Sequence, residues 1–325
     1  MDPESLDRVI KRIAVSKSTD IVVGLDGYDD AAVTRGPADG MDLVHTIDFF
    51  PPMVDSPTDF GAIAAANAIS DVYAMGGEPR FATSVLCWPV TSVPEEAIEA
   101  MLEAAVEKLH EAGAALLGGH SIKSSELNFG LSVTGEVRKN RHWTVGGAKP
   151  GDLLVLTKAI GTGIIMTAAN SQLCDAEAFE AAVASMQQLN KHARDIAAEL
   201  DVHACTDITG SGVLGHALEM SRNSETSLRI FAEAVPTLPG AAEAAAQGIK
   251  CGAHEANYNF VRESLVLEGE VSEATILLLN DPQTSGGLLF SMTPADAHLL
   301  TKETEAIVIG EVVDGSPALI LSEKK

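Results

Sequence analysis

Four aspartates occupy positions where a chain ordinarily places an apolar residue. Asp30 ends the run Gly24-Leu25-Asp26-Gly27-Tyr28-Asp29-Asp30 before Ala31-Ala32-Val33, and Asp48 stands in Thr46-Ile47-Asp48-Phe49-Phe50. Asp71 closes Asn67-Ala68-Ile69-Ser70-Asp71, and Asp207 lies in Cys205-Thr206-Asp207-Ile208-Thr209-Gly210. A carboxylate withdrawn from water is costly unless positive charge meets it. Along the chain the nearest such charge is Arg35, five residues after Asp30. A hard cation such as Mg²⁺, which takes oxygen ligands and keeps part of its shell for water and phosphates, is the natural counterion. The pattern therefore points to metal-assisted phosphate chemistry.

Each segment also has a plainer reading. The Gly24 to Asp30 run suits a hairpin turn, where Asp and Gly are ordinary residues. Thr206 to Gly212 suits a plain N-cap as well as a helix N-terminus facing a phosphate, and Asp281-Pro282-Gln283-Thr284-Ser285-Gly286-Gly287 suits a structural loop as well as a nest of donors. Asp71 is harder to dismiss, because it shares a helix with Ala64, Ala65, Ala66, Ala68 and Ile69, and Asn67 one turn earlier offers it only a hydrogen bond. Gly118-Gly119-His120-Ser121 follows a short apolar strand and can bring amides and a hydroxyl to a ligand, although His120 is more ordinary as a structural residue than as a general base. No G-x-x-x-x-G-K-[ST] run is present, so a nucleotide would not bind through a P-loop.

The elements that must carry these residues are legible in outline. Leu6, Val9, Ile10 and Ile13 fall at helical spacing after Asp2-Pro3-Glu4-Ser5. Strands are expected at 21–25, 31–34, 43–47, 81–86, 114–117, 127–137 and 153–157. Ser56-Pro57-Thr58-Asp59 reads as N-cap, first-turn proline and acidic first turn of a helix running to Gly76-Gly77. Further helices are expected at 94–111, from Gly161 to Ala169, as one long alanine-rich helix from Ala176 to Leu200, at 210–220 and after Pro294. Strands at 307–312 and 318–321 close the chain. The stretch Val145 to Gly151 is the linker candidate and divides the chain into residues 1–149 and 150–325. Helices and strands alternate without one regular βαβ period, which favours a layered α/β or α+β architecture over a barrel or a Rossmann sheet.

Composition narrows the class. The chain has 325 residues, 46% of them hydrophobic, enough for a substantial core. Lys+Arg number 22 against 46 Asp+Glu, a net charge of −24, which repels nucleic acid and anionic membranes. Cys87, Cys174, Cys205 and Cys251 form no C-x-x-C pair and read as structural thiols of a reducing compartment. No signal-peptide pattern and no apolar run of about 18 residues is present, so a cytoplasmic protein is expected.

Taken in order, the segments Asp48-Phe49-Phe50, Asp59-Phe60-Gly61, Asn67 to Gly77, Gly118 to Ser121 and Asp281 to Gly287 resemble the selenophosphate synthetase (selenide, water dikinase) family of the aminoimidazole ribonucleotide synthetase-like superfamily. The resemblance implies a two-domain fold in which an N-terminal domain contributes to a β-barrel shared by a homodimer and a C-terminal α/β domain packs against it. It implies Mg²⁺ held by Asp30, Asp48, Asp71 and Asp207. It implies ATP held by Gly27, Tyr28, Asp29, Asp48, Asn67 and Asp71, and by Gly119, His120 and Ser121 of the opposite subunit. The implied reaction converts ATP, selenide and water into selenophosphate, AMP and phosphate. Three features depart from the family. The catalytic Cys or selenocysteine and Lys that precede its first helix have no counterpart after Met1-Asp2-Pro3-Glu4, so no catalytic residue is assigned and impaired selenophosphate synthesis is expected. Ser211 stands where the family has Phe, and Lys250 to Asn257 differs from the family's glycine-rich loop. A non-catalytic nucleotide-binding regulator, and another ATP-dependent kinase or synthetase of the superfamily such as thiamine-monophosphate kinase, remain as alternatives.

Overall fold

The computed structural model describes residues 18–24, 29–37 and 40–324, so the expected helix around Leu6 to Ile13 lies outside the described residues. Two sheets organise the chain. The first contains β1 (Ile21–Val23), β2 (Ala32–Arg35), β3 (Met41–Phe50), β4 (Glu78–Trp88), β5 (Ala115–Lys123) and β6 (Asn128–Arg138), in the order β1-β2-β3-β6-β4-β5. Every pair is antiparallel except β4 with β5. The second contains β7 (Leu153–Leu156), β8 (Val202–Asp207), β9 (Ser227–Phe231), β10 (Leu265–Glu268), β11 (Leu288–Met292), β12 (Ile307–Val313) and β13 (Ala318–Ser322), in the order β10-β13-β9-β12-β7-β11-β8. This is the layered mixed architecture expected from the alternating pattern.

Helix α1 (Pro57–Ala74) is the hub between the sheets. Ser56 caps it by accepting the Asp59 N–H at 3.2 Å, and Pro57 opens its first turn, as the sequence predicts. Of its 18 residues 14 are buried, and alanine is the commonest type among them. Small residues let neighbouring backbone come close on every side. At Gly61 the approach is closest, since a Cβ there would overlap the Met101 carbonyl of α2 (Glu95–Ala112). Phe60 anchors the start of α1 between Phe50 and Phe129, with ring centroids at 5.9 and 6.3 Å and edge-on geometry.

Two expectations are corrected. The stretch from Ala176 to Leu200 is two helices, α4 (Ala176–Gln187) and α5 (Lys191–Ala197), which follow α3 (Thr162–Asn170). They break at Gln188-Leu189-Asn190 because the Gln188 carbonyl and the Asn190 side chain are bonded to Lys158, Ser70 and Gly286 instead of continuing the helix. Gly118 to Ser121 is part of β5, extended along the parallel neighbour β4. The linker candidate between β6 and β7 is irregular and pinned, with Gly147 and Ala148 donating to the Ser224 hydroxyl at 3.1 and 3.0 Å. Replacing glycine by alanine in an exposed helix gains about 1 kcal/mol. Gly61→Ala is expected to lose about 1–3 kcal/mol by overpacking instead, read from the urea midpoint.

Candidate functional site

Alternation along β3 turns Thr46, Asp48 and Phe50 toward α1. Thr46 Oγ1 donates to Asp71 Oδ2, Asn67 Nδ2 donates to Asp48 Oδ2, and Phe50 packs on Phe60. Both aspartates are thus fixed by hydroxyl or amide donors from the facing element, and neither is paired with a cation among the described residues.

The second sheet brings Asp207 to the same place. Asp207 ends β8 and is almost wholly buried, and its Oδ2 has no hydrogen-bond partner among the described residues. The preceding Thr206 donates its hydroxyl to Asp30 Oδ1 at 2.9 Å, which joins the first and second sheets, while Asp30 Oδ2 is left unpartnered among the described residues. Asp29 accepts the Val145 N–H at 2.7 Å and so holds the linker over the site.

The electrostatics identify one cluster. Burial raises the carboxyl pKa of Asp30 and Asp71 well above the usual range, and the Asp207 charge adds to the shift in both. Asp48 is raised by burial and then by Asp207. Asp207 is itself raised by burial, partly offset by the Ser70 hydroxyl, His216 and Lys158. Asp29 is raised by burial against the pull of the Val145 N–H and His142. Four carboxylates raised by burial, three of them also by the charge of Asp207, form a site short of positive charge. Among the described residues no three carboxylate, imidazole or thiol groups converge tightly enough to hold an ion alone. The unpartnered oxygens of Asp30 and Asp207 nevertheless fit a hard cation that draws the rest of its shell from phosphate and water.

The polar turn Asp281 to Gly287 is committed to structure. Gln283 Oε1 accepts the Gly161 and Thr162 N–H groups at 2.9 and 3.1 Å, Gln283 N donates to the Thr209 carbonyl, and Ser285 N donates to Asn67 Oδ1 at 2.8 Å. Asn257, in the stretch that departs from the family, donates to the Gly210 and Asn280 carbonyls, so that stretch braces the turn after Asp207. Ser211 begins α6 (Gly212–Ser224) without a side-chain cap. Of the predicted residues, Asp30, Asp48, Asn67, Asp71 and Asp207 come together, with Asp29 beside them. Gly119, His120 and Ser121 lie apart on the exposed outer strand β5. Gly27 and Tyr28 lie outside the described residues. Arg35 is no counterion, since its Nε donates to the Thr19 carbonyl.

Sequence reasoning missed Thr46, Ser70, Lys158, Asn190, Thr206 and His216. Thr46 carried a signal, because it lies two residues before Asp48 and so on the same face of a strand. Lys158 and Asn190 carried none, because their partners Ser285 and Gly286 are more than 90 residues away.

Residues 28–137 match the family model of the AIR synthase related protein, N-terminal domain, and residues 149–321 match that of its C-terminal domain. A selenide, water dikinase from Caldanaerobacter subterraneus subsp. tengcongensis is 42% identical over 316 residues, covering 95% of this chain and 91% of that protein. Another, from Desulfitobacterium hafniense (strain DSM 10664 / DCB-2), is 44% identical over 317 residues, covering 96% and 92%. The chain belongs to the selenide, water dikinase family. Among solved structures, thiamine monophosphate kinase from Aquifex aeolicus superposes with a TM-score of 0.68 at 18% identity, covering 99% of this chain and 97% of that one. Hydrogenase maturation protein HypE in complex with ATP gives 0.70 at 15%, covering 90% and 84%. At these identities the likeness is one of fold. This member of the selenide, water dikinase family therefore shares with those proteins a two-sheet frame, and its aspartates sit where the sheets meet.

The raised carboxyls set a pH dependence. A carboxyl whose folded pKa lies above its unfolded value binds more protons folded than unfolded, so stability falls as pH rises through that window. For Asp281, which burial pushes up to about 7, the window runs from the ordinary carboxyl value of 3.8 to about 7, and the cluster acts in the same direction. The thermal midpoint of metal-free protein is therefore expected to drop between about pH 5 and pH 7 by at least 2–4 °C, the effect of ~1 kcal/mol at this size. Mg²⁺ should restore more of it at the higher pH, as scanning calorimetry would read.

Proposed function

We propose that this chain is a selenophosphate synthetase that uses ATP, selenide and water and releases selenophosphate, AMP and phosphate, with Mg²⁺ held by Asp30, Asp48, Asp71 and Asp207. Family membership supports the reaction. The observation that carries the site is the delivery of Asp207 from the second sheet to Asp48 of β3, Asp71 of α1 and Asp30 just before β2, with two carboxylate oxygens unpartnered among the described residues. Phosphoryl transfer asks for charge neutralisation and positioning more than for a protein nucleophile. Mg²⁺ held by these carboxylates would supply that neutralisation. Asn67 keeps the Asp48 carboxylate turned toward the cluster, Thr46 does the same for Asp71, and Asp29, Asn67 and Asp71 border the nucleotide. Cys205 adjoins the cluster, yet burial, then Asp30 and Asp207, pushes its thiol far up, so it is a poor nucleophile for selenium chemistry.

In this reading residues 1–149 bind nucleotide and form the dimer, and residues 150–325 complete the metal site. The working unit is a homodimer. Strand β5 is an outer strand, paired on one side only with β4 and exposed along almost its whole length, Leu117 is 64% and Ile122 51% exposed, and Ile47, Phe49 and Phe81 leave the sheet face away from α1 apolar. Such an edge and face call for a covering partner, and a second copy would bring Gly119, His120 and Ser121 to the first copy's nucleotide. A cytoplasmic location agrees with four free cysteines. No helix among the described residues is long and apolar enough to cross a membrane.

Titration calorimetry of ATP with and without Mg²⁺ tests the site. Binding is expected to require the metal, and Asp71→Asn is expected to weaken it by at least about tenfold, or 1.4 kcal/mol; unchanged affinity removes Asp71 from the site. Leu117→Lys places a charge on the apolar edge strand and is expected to turn the dimer into a monomer in sedimentation velocity, with the monomer binding ATP more weakly.

A further inference from the structure

Lys158 has no assigned role. It lies just after β7 and is 7% exposed, and its ammonium donates to two backbone carbonyls, Gln188 O at 2.6 Å and Ser285 O at 2.8 Å. Among the described residues no carboxylate forms an ion pair with it, although its charge is felt at Asp207. Burial lowers the Lys158 pKa to about 7 against the pull of Asp207, but the amine remains a donor to both carbonyls in either protonation state, and so polar a group is costly to bury unless those bonds are needed. The Ser285 carbonyl belongs to a peptide under strain, since Ser285 is a non-glycine residue at φ 49° and is itself buried. Ser285 is gripped from both sides. Lys158 holds its carbonyl, and its N–H donates to Asn67 Oδ1 at 2.8 Å. Asn190 grips the next residue, donating to Gly286 O at 2.8 Å and to the Ser70 hydroxyl at 2.9 Å.

The consequence falls on Asn67. A backbone N–H can only donate, so the Asn67 oxygen must face Ser285 and its NH₂ must face Asp48, where it donates to Oδ2. If the Ser285 peptide relaxed, Asn67 could flip and present its oxygen to the Asp48 carboxylate. We propose that Lys158 is a positioning residue for the metal-nucleotide site: by holding Ser285 in its left-handed conformation it fixes the orientation of Asn67 and so presents Asp48 to the metal. The inference rests on the Mg·ATP reading above and extends it to a residue that touches neither ligand.

The test measures the Mg²⁺ concentration that half-saturates ATP binding, by calorimetry and by the rise of the thermal midpoint, in Lys158→Met, Asn67→Ala and the double variant. Lys158→Met should raise the Mg²⁺ requirement about tenfold, the usual effect of removing support behind a metal ligand. The double variant should require no more than Asn67→Ala alone, because both changes act through one amide. In a Ser285→Gly background the strain is absent and the effect of Lys158→Met should shrink, which also gives a folded protein to measure if Lys158→Met alone unfolds. A purely structural lysine would lower the midpoint of metal-free protein and leave the Mg²⁺ requirement alone. That result, or full additivity with Asn67→Ala, overturns the proposal while leaving the Mg·ATP site intact. Absence of Mg²⁺-dependent ATP binding in the unaltered chain sinks both.

Discussion

The site depends on one matching of lengths. Two residues along a strand advance about 6.6 Å, and four along a helix advance about 6 Å. Strand β3 and helix α1 therefore stay in step over a turn, so that Thr46 meets Asp71 and Asp48 meets Asn67. A one-residue slip of β3 would turn Ile47 and Phe49 inward and put both polar contacts on the outer face. Ten consecutive pairs with β6, from Met41↔Arg138 to Phe50↔Phe129, resist that slip. The helix is held from its other sides by Phe60 between two rings and by α2 against Gly61. Rigidity of this kind suits a site whose work is to place charge.

Orienting the carboxylates chiefly with neutral donors is what the second half of the chain makes possible. It contributes no arginine to the cluster. It supplies Thr206 to Asp30, the Ser285 amide to Asn67, and Asn190 to Ser70. These neutral donors orient the carboxylates and leave their charge in place. His216 adds a further balance. Burial works against its protonated form, but Glu219 and Asp207 together outweigh burial and raise its pKa, and its charge in turn pulls against the rise of Asp207. With Lys158 nearby, Asp207 is the member of the cluster with cationic company, which suits the residue whose charge the others feel.

Much of this arrangement is legible in the order of the amino acids. Local signals carry their elements faithfully: Ser56-Pro57-Thr58-Asp59 marks the start of α1, and the spacing of Asn67 and Asp71 puts them on one face. The aspartates are legible as a set because burying acid in alanine-rich or β-branched frames violates local preference, and such violations gather at functional sites. The misreadings arise where tertiary contacts override a local pattern. The alanine-rich run at Ala176 to Leu200 has helical propensity throughout, yet it breaks at Gln188 to Asn190, where three hydrogen bonds to distant residues outweigh one turn of helix. Gly118-Gly119 has the composition of a turn, but parallel pairing with β4 keeps it extended, and Gly119 lies so near Ser84 that no side chain fits.

That helix break also explains why the two sheets act as one unit at the cluster. Gln187, the last residue of α4, donates to Asp59 in the first turn of α1, and Asn190, just before α5, reaches Ser70 three turns along the same helix. A continuous helix from Ala176 to Leu200 would advance only about 1.5 Å per residue along one axis and would turn Gln187 and Asn190 to neighbouring positions on one face. It could not also give its Gln188 carbonyl to Lys158, because a helix interior uses that carbonyl itself. Interrupting the helix frees one acceptor and one amide, and both are used at the junction between the sheets. The cost of two extra helix ends is thereby offset by the contacts that fix Ser70, Gly286 and Ser285 around Asp207 and Asn67.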